Sequence, residues 1–419
     1  MSSPRVSVFT PSHLPTYLDD CYGSLLAQTF SDWEWIVVLN GNNTWAPTTE
    51  DPRVKLINGT DIKGVGALKR KACEESQGEF LVELDHDDKL TTTALEEIVD
   101  AFDAHPECGF VYSDCAHITA GGDRHEHRYN PAMGWQYEDA EIDGTTYLVT
   151  KSFDPFPNAV SYIWFAPNHV RAFRRSAYDA VGGYDPNLDI LDDQDLMCRL
   201  YQHADFHHIQ KCLYLQRFHE ANTQHDAATN ARIQQMTVQL YDKYVEANAL
   251  IWARRNGLLA LDLGAAYRKR PGYVGVDIQQ VSGVDIIADF TKGLDLPDNS
   301  VGVIRAVDFL EHIPDKIQAI NEIYRLLAHG GMLLSNTPST DGRGAFQDPT
   351  HVAFYNENSF WYYTRDNYRN FVPEIKAKFI ESRLITYFPD KWHEQNFISY
   401  VNANLVAVKN GPLIPGRQG

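Results

Sequence analysis

The chain has 419 residues, 43% of them hydrophobic and 22% charged, with a formal net charge of -19. That length exceeds a usual single core and predicts two or three domains, each able to bury its own apolar residues. The carboxylate surplus repels polyanions and argues against nucleic acid as the main partner. Cys21, Cys73, Cys108, Cys115, Cys198 and Cys212 show no C-x-x-C spacing, so they read as reduced thiols of a cytoplasmic protein. No apolar run of about 18 residues occurs, and MSSPRVSVF lacks a signal-peptide layout, so neither a membrane span nor a secretory signal is expected.

Val6 to Phe9 reads as a short buried strand ending at Thr10-Pro11-Ser12, and Tyr17, Leu18, Cys21, Tyr22, Leu25 and Leu26 follow at helical spacing. Trp35 to Leu39 gives a second strand, stopped by the turn cluster Asn40-Gly41-Asn42-Asn43. Arg53 to Ile57 is a third strand, Val65 to Glu75 a helix, and Phe80 to Leu84 a fourth strand. The alternation predicts a largely parallel sheet with both faces covered. Its last strand delivers Asp85-His86-Asp87-Asp88. Three carboxylates and an imidazole held together repel and desolvate one another unless a cation or substrate compensates. Ligands of open α/β sheets bind beyond the carboxyl ends of strands, and Asp-x-Asp there offers hard oxygen donors for Mg2+ or Mn2+. The competing reading is a solvated acidic turn.

The ordered strings VSVFTPSH, LLAQTFSDWEWIVVLNG and GALKRKACEESQGEFLVELDHDD resemble the nucleotide-sugar-binding half of family 2 glycosyltransferases of the GT-A fold. The resemblance implies that Asp85 approaches the donor ribose and that Asp87 ligates the metal on the diphosphate, with Asp88 as a helper. Such an ion neutralises the charge developing on a leaving nucleoside diphosphate without proton transfer. Lys69 and Arg70 fall where the family carries a basic residue and would contact the diphosphate; the alternative is a solvated helix face. Asn40 stands where the family's second strand usually ends in an acid that reads the base. An amide both donates and accepts, which leaves the base open.

Residues 110 to 165 scatter Tyr112, His117, His125, His127, Trp135, Tyr137 and Trp164 among Gly, Pro and Asp. The resemblance puts the acceptor side there, where aromatic rings suit sugar faces, although histidines so spaced also read as loop residues. FRRSAYDAVGGYDPNLDILDDQDLMCRL resembles the family's acceptor-site string. It implies Asp193 as the general base of an inverting transfer, with Asp192 in the place usually held by Glu and Asp195 two residues on. A helix N-terminus keeps such a carboxylate ionised. The same acids also suit simple helix capping. LYLQRFHEANT implies His219 as a further ligand of the metal or diphosphate, with Arg217 nearby.

From Asp226, the residues Ile233, Met236, Leu240, Tyr241, Tyr244 and Val245 keep one apolar face through a long helical stretch. This predicts a glycosyltransferase domain over 1–225 and a helical linker over 226–250. After the breaker Asn256-Gly257, LLALDLGAAYRKRPGYVGVDI gives a strand to Asp262, a small-residue loop and a strand to Asp277. This resembles the opening of Rossmann-like class I S-adenosylmethionine-dependent methyltransferases, here over 251–410 with a tail of 411–419. By that resemblance Asp277 accepts bonds from both ribose hydroxyls, and Asp262 and Gly264 contact the methionine end. Asp289 would read the adenine amino group, with Phe290 against the ring. The family usually carries more glycines where Ala265, Ala266 and Tyr267 stand, and a left-handed Ala266 costs about 1 to 2 kcal/mol.

DNSVGVIRAVDFLEHIPDKIQAINEIYRLLAHGGMLLSNTP predicts a strand into Leu310-Glu311-His312. A helix follows with Ile317, Ile320, Ile323, Tyr324 and Leu327 on one face, ended by Gly330-Gly331. In FQDPTHVAFYNENSFWYY, Asp348 and His351 follow a Gly-rich loop. His351 is the candidate base for methylating a sugar hydroxyl, or a buried histidine that fixes a loop. His312 reads as a packing or cofactor-loop residue, and Asn402 to Val408 as a final strand.

The expectation is therefore a two-domain α/β chain, a GT-A mixed sheet followed by a Rossmann-like methyltransferase. It would take a nucleotide-diphosphate sugar and a glycan or glycoconjugate acceptor, with Mn2+ or Mg2+ and S-adenosylmethionine as cofactors. In a second reading the methyltransferase-like half is a degenerate binding or scaffolding module.

Overall fold

The computed structural model describes residues 3–41, 43–219 and 227–417. Asp226, where the predicted linker begins, and the last two residues of the predicted tail lie outside the described residues. The chain divides into two compact units. The first draws on the chain up to Pro131, on Trp135–Pro155 and on Ala159–Tyr244; the second on Ala132–Gly134, on Phe156–Asn158 and on the chain from Val245 onward.

In the first unit the strands are β1 (Val6–Ser12), β2 (Trp33–Leu39), β3 (Val54–Asn58), β4 (Phe80–Glu83), β5 (Lys89–Leu90), β6 (Cys108–Thr119), β7 (Tyr137–Ile142), β8 (Thr145–Thr150), β9 (Arg171–Arg174) and β10 (Asp205–Phe218). They form one sheet in the order β3-β2-β1-β4-β9-β6-β10-β5, with β7 and β8 paired beside β6. The four strands read from the alternating pattern are mutually parallel. Parallelism breaks at β9, which lies antiparallel between β4 and β6 and makes the sheet mixed.

Apolar side chains cover both faces. Val6, Val8, Trp35, Val37, Phe80 and Val82 pack with the helices Leu18–Leu26 and Ala94–Ala104 on one side. Phe9, Ile36, Val38, Leu81 and Phe173 pack with Val65–Glu75 and Asp192–His203 on the other. Burial on both faces is why these strands read as continuous apolar runs rather than alternating ones. The second of these layers has a tight seam. A Cβ on Gly66 would lie 2.4 Å from the carbonyl oxygen of Asp185. With glycine there, the Gly66 N–H donates to the Leu188 carbonyl at 3.1 Å.

The second unit holds β11 (Leu259–Leu263), β12 (Val274–Asp277), β13 (Ile286–Ile287), β14 (Val301–Val307), β15 (Leu327–Pro338), β16 (Phe379–Tyr387) and β17 (Tyr400–Ala407). The order is β13-β12-β11-β14-β15-β17-β16, with β17 antiparallel to both its neighbours. The chain leaves β11 toward β12 and returns on its other side to β14. That reversal makes a switch point at the carboxyl ends of β11 and β14, where open α/β sheets bind ligands.

Two local expectations are corrected. Gly330-Gly331 does not end a helix, because Lys316–Leu326 passes directly into β15 at Leu327. Gly330, at φ 80, instead serves the bulge where the register slips between Val301/Leu327 and Val303/Met332. Nor does a strand reach Leu310-Glu311-His312; β14 stops at Val307 and a single 3-10 turn follows. The long helical stretch runs over Ala227–Arg255. All six cysteines are free thiols. Among the described residues no helix is long and apolar enough to cross a membrane.

Candidate functional site

Beyond the end of β4 the chain turns through Asp85 to Asp88 and lines a cavity of about 610 Å³. Asn40, Lys69, Asp192, Asp193 and His219 line it too, so residues far apart in sequence share one site. His219 Nε2 lies 2.9 Å from Asp87 Oδ2. Burial, then the neighbouring Glu83 carboxylate, pushes Asp85 up to about 7. Burial and the two neighbouring aspartates raise Asp88, 2% exposed, well above the carboxylate range. Carboxylates so crowded favour a cation among them, and this set of carboxylate oxygens with one imidazole fits a divalent ion.

Arg217 holds the turn in place. It is fully buried. Its backbone N–H donates to Asp88 Oδ1 at 2.6 Å, its Nε to the Asp87 carbonyl at 2.7 Å and its Nη2 to Asp20 Oδ2 at 2.7 Å. Nη1 donates to the Ala120 carbonyl at 2.9 Å, and the guanidinium sits 4.3 Å from the centre of the Tyr17 ring.

On the opposite side of the site, Leu191 takes φ 56 immediately before the helix that Asp192 opens. A left-handed leucine costs about 1 to 2 kcal/mol, a strain of the kind found where a side chain must be aimed. Asp193 Oδ2 accepts from Arg171 Nη1 at 2.6 Å and Oδ1 from the Gln194 N–H at 2.8 Å. Burial alone would raise Asp193, but Arg171 and Lys69 outweigh it and hold the carboxyl at about 2. Burial raises Asp192 to about 6 against the pull of Lys69. Lys69 Nζ stands 3.1 Å from Asp192 Oδ2 and 2.6 Å from Glu83 Oε1. Arg171 Nη1 lies 3.8 Å from Glu83 Oε2, so two cations and three carboxylates alternate through the wall of the cavity.

At the switch point of the second unit, Gly264 takes φ 69 and Ala266 φ 39. A Cβ on Gly264 would meet the Phe309 ring at 2.8 Å, so the small residue lets this loop lie against the turn after β14. Asp277 Oδ2 accepts from the Ala266 N–H at 3.1 Å and Oδ1 from the Gln279 N–H at 2.9 Å. Tyr267 and Ile278 flank it, 75% and 65% exposed, as an uncovered apolar edge. A carboxylate beside a close-packed loop and a bare apolar edge fits a nucleoside with a ribose diol.

Residues 7–182 match the family described as Glycosyl transferase family 2, and residues 256–335 match the family described as Methyltransferase domain. The chain thus carries one region that matches family 2 glycosyltransferases and a later one that matches a methyltransferase domain. Over 223 residues it is 25% identical to the O-antigen biosynthesis protein RfbC of Myxococcus xanthus, covering 50% of this chain and 16% of that protein. Over 227 residues it is 26% identical to the chondroitin synthase of Escherichia coli, covering 52% of this chain and 30% of that protein. The chain thus spans less than a third of the length of these relatives. A crystal structure of S. aureus TarS in complex with UDP-GlcNAc aligns at a TM-score of 0.41 and 14% identity, over 60% of this chain and 72% of that one.

Within the glycosyltransferase domain, Asn40, Asp85, Asp87, Asp193 and His219 share the cavity. Of Lys69 and Arg70, Lys69 lines the cavity and Arg70 does not. Lys69, 6% exposed, is bound between two carboxylates. Arg70 bonds Glu74 and the carbonyls of Gly182 and Tyr184, away from the cavity lining. Asp195 is buried against Arg199 and Tyr244 and serves the helix. Of the scattered rings, Trp135 and Trp164 line the cavity together with Tyr129. Tyr112 instead stacks on His208, and His117, His125 and His127 cluster around Phe218.

Sequence reasoning missed Arg171 and the part played by Glu83; the available signal was a charge inside each of two buried strands. It also missed His169, whose Nε2 lies 3.6 Å from Asp85 Oδ2.

In the second unit Asp262 and Asp289 both have partners within the chain. Asp262 is buried, with its oxygens taken by Arg305 Nη1 at 2.8 Å and the Arg270 N–H at 2.9 Å, so it braces the strand. Asp289 caps the turn Phe290–Lys292 through the Thr291 N–H at 3.1 Å and pairs with Lys292 at 3.2 Å. His351 Nδ1 donates to the Ala345 carbonyl at 3.0 Å.

Proposed function

We propose a bifunctional glycan-modifying enzyme. Residues 1–225 carry out an inverting, metal-dependent transfer from a nucleotide-diphosphate sugar, and residues 251–410, after the helical segment 226–250, methylate a sugar hydroxyl with S-adenosylmethionine. The reading rests on one observation, the cavity that gathers Asp85, Asp87 and His219 with Asp193. Asp87 and His219 would hold a divalent ion, Mn2+ or Mg2+, which supplies positive charge where the diphosphate leaves. Asp85 approaches the ribose and Asn40 the base, while Trp135 and Trp164 offer faces to the acceptor sugar. Asp193 takes the proton of the acceptor hydroxyl, with Arg171 fixing its direction. Arg171 must loosen as the acceptor arrives, because a carboxylate held at about 2 is a weak base.

In the second domain Asp277 and the backbone of Gly264 to Ala266 would hold S-adenosylmethionine, the methyl source. Tyr267 and Ile278 offer the adenine ring an apolar edge. Reduced thiols suit a cytoplasmic setting. Incubation with a panel of nucleotide-diphosphate sugars and Mn2+ should release nucleoside diphosphate, and a chelator should stop it. No release from any donor would overturn the reading.

The strained Ala266 supports a second reading, in which the methyltransferase half is a binding or scaffolding module. Calorimetry with S-adenosylhomocysteine separates the two: binding that is lost in Asp277→Ala supports the cofactor site, and no binding supports the module.

A further inference from the structure

The turn after β14 carries a group of side chains that the cofactor site does not use. Glu311, His312 and His351 each bring one ligand atom within 4.8 Å of the others. Two backbone bonds hold the segments together, from the Val352 and Ala353 N–H groups to the Glu311 carbonyl at 2.9 Å each.

The hydrogen bonds decide what these atoms offer. His312 Nδ1 lies 3.2 Å from the Thr350 carbonyl and His351 Nδ1 lies 3.0 Å from the Ala345 carbonyl. Thr350 Oγ1 also lies 3.2 Å from His312 Nδ1. A carbonyl only accepts, so these bonds are made by the tautomer with the proton on Nδ1, which leaves the Nε2 lone pair for a ligand. Such a backbone bond on the far nitrogen is how a metal-binding histidine is oriented. Glu311 is 2% exposed. One of its oxygens accepts from Thr337 Oγ1, while Oε1 is buried without a hydrogen-bond partner. One nitrogen of each imidazole and one oxygen of the buried carboxylate therefore lie close enough to share an ion. Metal–ligand bonds of about 2.0 to 2.2 Å place such atoms roughly 3 to 4.4 Å apart, so a small contraction closes the set.

We infer that Glu311, His312 and His351 bind a divalent transition-metal ion, a second metal centre independent of Asp87 and His219. Two imidazoles and one carboxylate suit Zn2+, Co2+ or Fe2+ better than Mg2+. Phe309, on the same turn, packs against Gly264 and so sets the ion beside the cofactor loop. The role rests on the methyl-transfer reading. The ion would take an acceptor hydroxyl oxygen into an open position and lower its pKa, so that its proton passes to water and the oxygen forms the bond to the methyl as the methyl–sulfur bond breaks and S-adenosylhomocysteine leaves. His351 is then a ligand and not the free base that its sequence context suggests.

The test uses the full chain carrying Asp87→Ala and His219→Ala, which removes the first domain's ion-binding pair. After chelator treatment, Zn2+ titration by calorimetry should show one equivalent bound, and Co2+ should develop a visible ligand-field band. Adding Glu311→Gln or His351→Ala should weaken Zn2+ binding at least about 10- to 100-fold while circular dichroism and S-adenosylhomocysteine affinity hold. If either variant fails to fold, His312→Ala, at an exposed position, must show the same loss. No stoichiometric uptake, or uptake indifferent to these changes, overturns the metal centre. Zn2+ bound by a chain that binds no S-adenosylhomocysteine would keep the centre and remove the methyl-transfer role. S-adenosylhomocysteine bound without uptake of an ion would overturn the metal centre and leave the methyl-transfer reading standing.

Discussion

The two candidate sites hold their acidic residues in different ways. In the glycosyltransferase domain Glu83, Asp192 and Asp193 are neutralised by side chains from other elements, Lys69 and Arg171, in a buried network. Around the second unit's switch point, Asp277 accepts from the backbone N–H groups of Ala266 and Gln279 and Asp289 from that of Thr291, while Asp262 meets the partly exposed Arg305. A network across elements fixes geometry but fails as a whole when one member is lost. Local satisfaction tolerates loss and leaves the loop adjustable.

The largest expected effect breaks this comparison at the base. Asp193→Asn should lower glycosyl transfer by about 10² to 10⁴-fold with donor binding unchanged in calorimetry, the usual worth of a general base. Undiminished turnover would remove Asp193 from the mechanism. Next is Lys69→Met, which leaves Glu83 and Asp192 buried without their cation and should cost about 3 to 5 kcal/mol in urea unfolding. Arg305→Met should cost visibly less, because its guanidinium is partly exposed and Asp262 keeps the Arg270 N–H, and equal costs would erase the contrast drawn above.

A smaller effect concerns pH. With its carboxyl raised to about 7, Asp85 is protonated below that pH in the metal-free protein, and an ion held nearby by Asp87 and His219 would favour its ionised form. Mn2+ affinity should therefore rise by up to about tenfold per pH unit from pH 5 to 7 and level off above. Asp85→Asn should flatten that profile, and an equally steep profile in the variant would assign the proton elsewhere. The smallest effect sharpens the other side. Ala266→Gly relieves a left-handed alanine and should stabilise the protein by up to about 1 kcal/mol, offset partly by glycine's unfolded-state entropy. A loss of stability in thermal melts would mean that the loop is not strained there.

Contiguous chemistry was legible from residues alone. Asp85 and Asp87 follow one apolar strand, Asp193 opens one helix, and each string holds enough of its own context to be read. Pairings set by register were not legible. Glu83 lies directly across from Arg171 because β9 runs antiparallel to β4 in one particular alignment, and no local pattern reports that alignment. Lys69 has the periodicity of a helix residue, yet what it faces depends on the seam at Gly66. Gly330-Gly331 misled for a similar reason. A glycine pair after an amphipathic run suits a helix stop as well as a bulge, and only the pairing of β15 with β14 decides between them.

Arg217 has a consequence for how the donor site comes into being. Its partners span Asp20, Asp87, Asp88 and Ala120, so one bond closes a loop of 197 residues. All the acidic residues of the donor turn and the base candidate precede it in the chain. A fragment ending before residue 217 would carry every one of those motifs and still lack the guanidinium that binds them to one another. During synthesis, the turn at Asp85 to Asp88 is therefore among the last parts of its unit to be fastened in place.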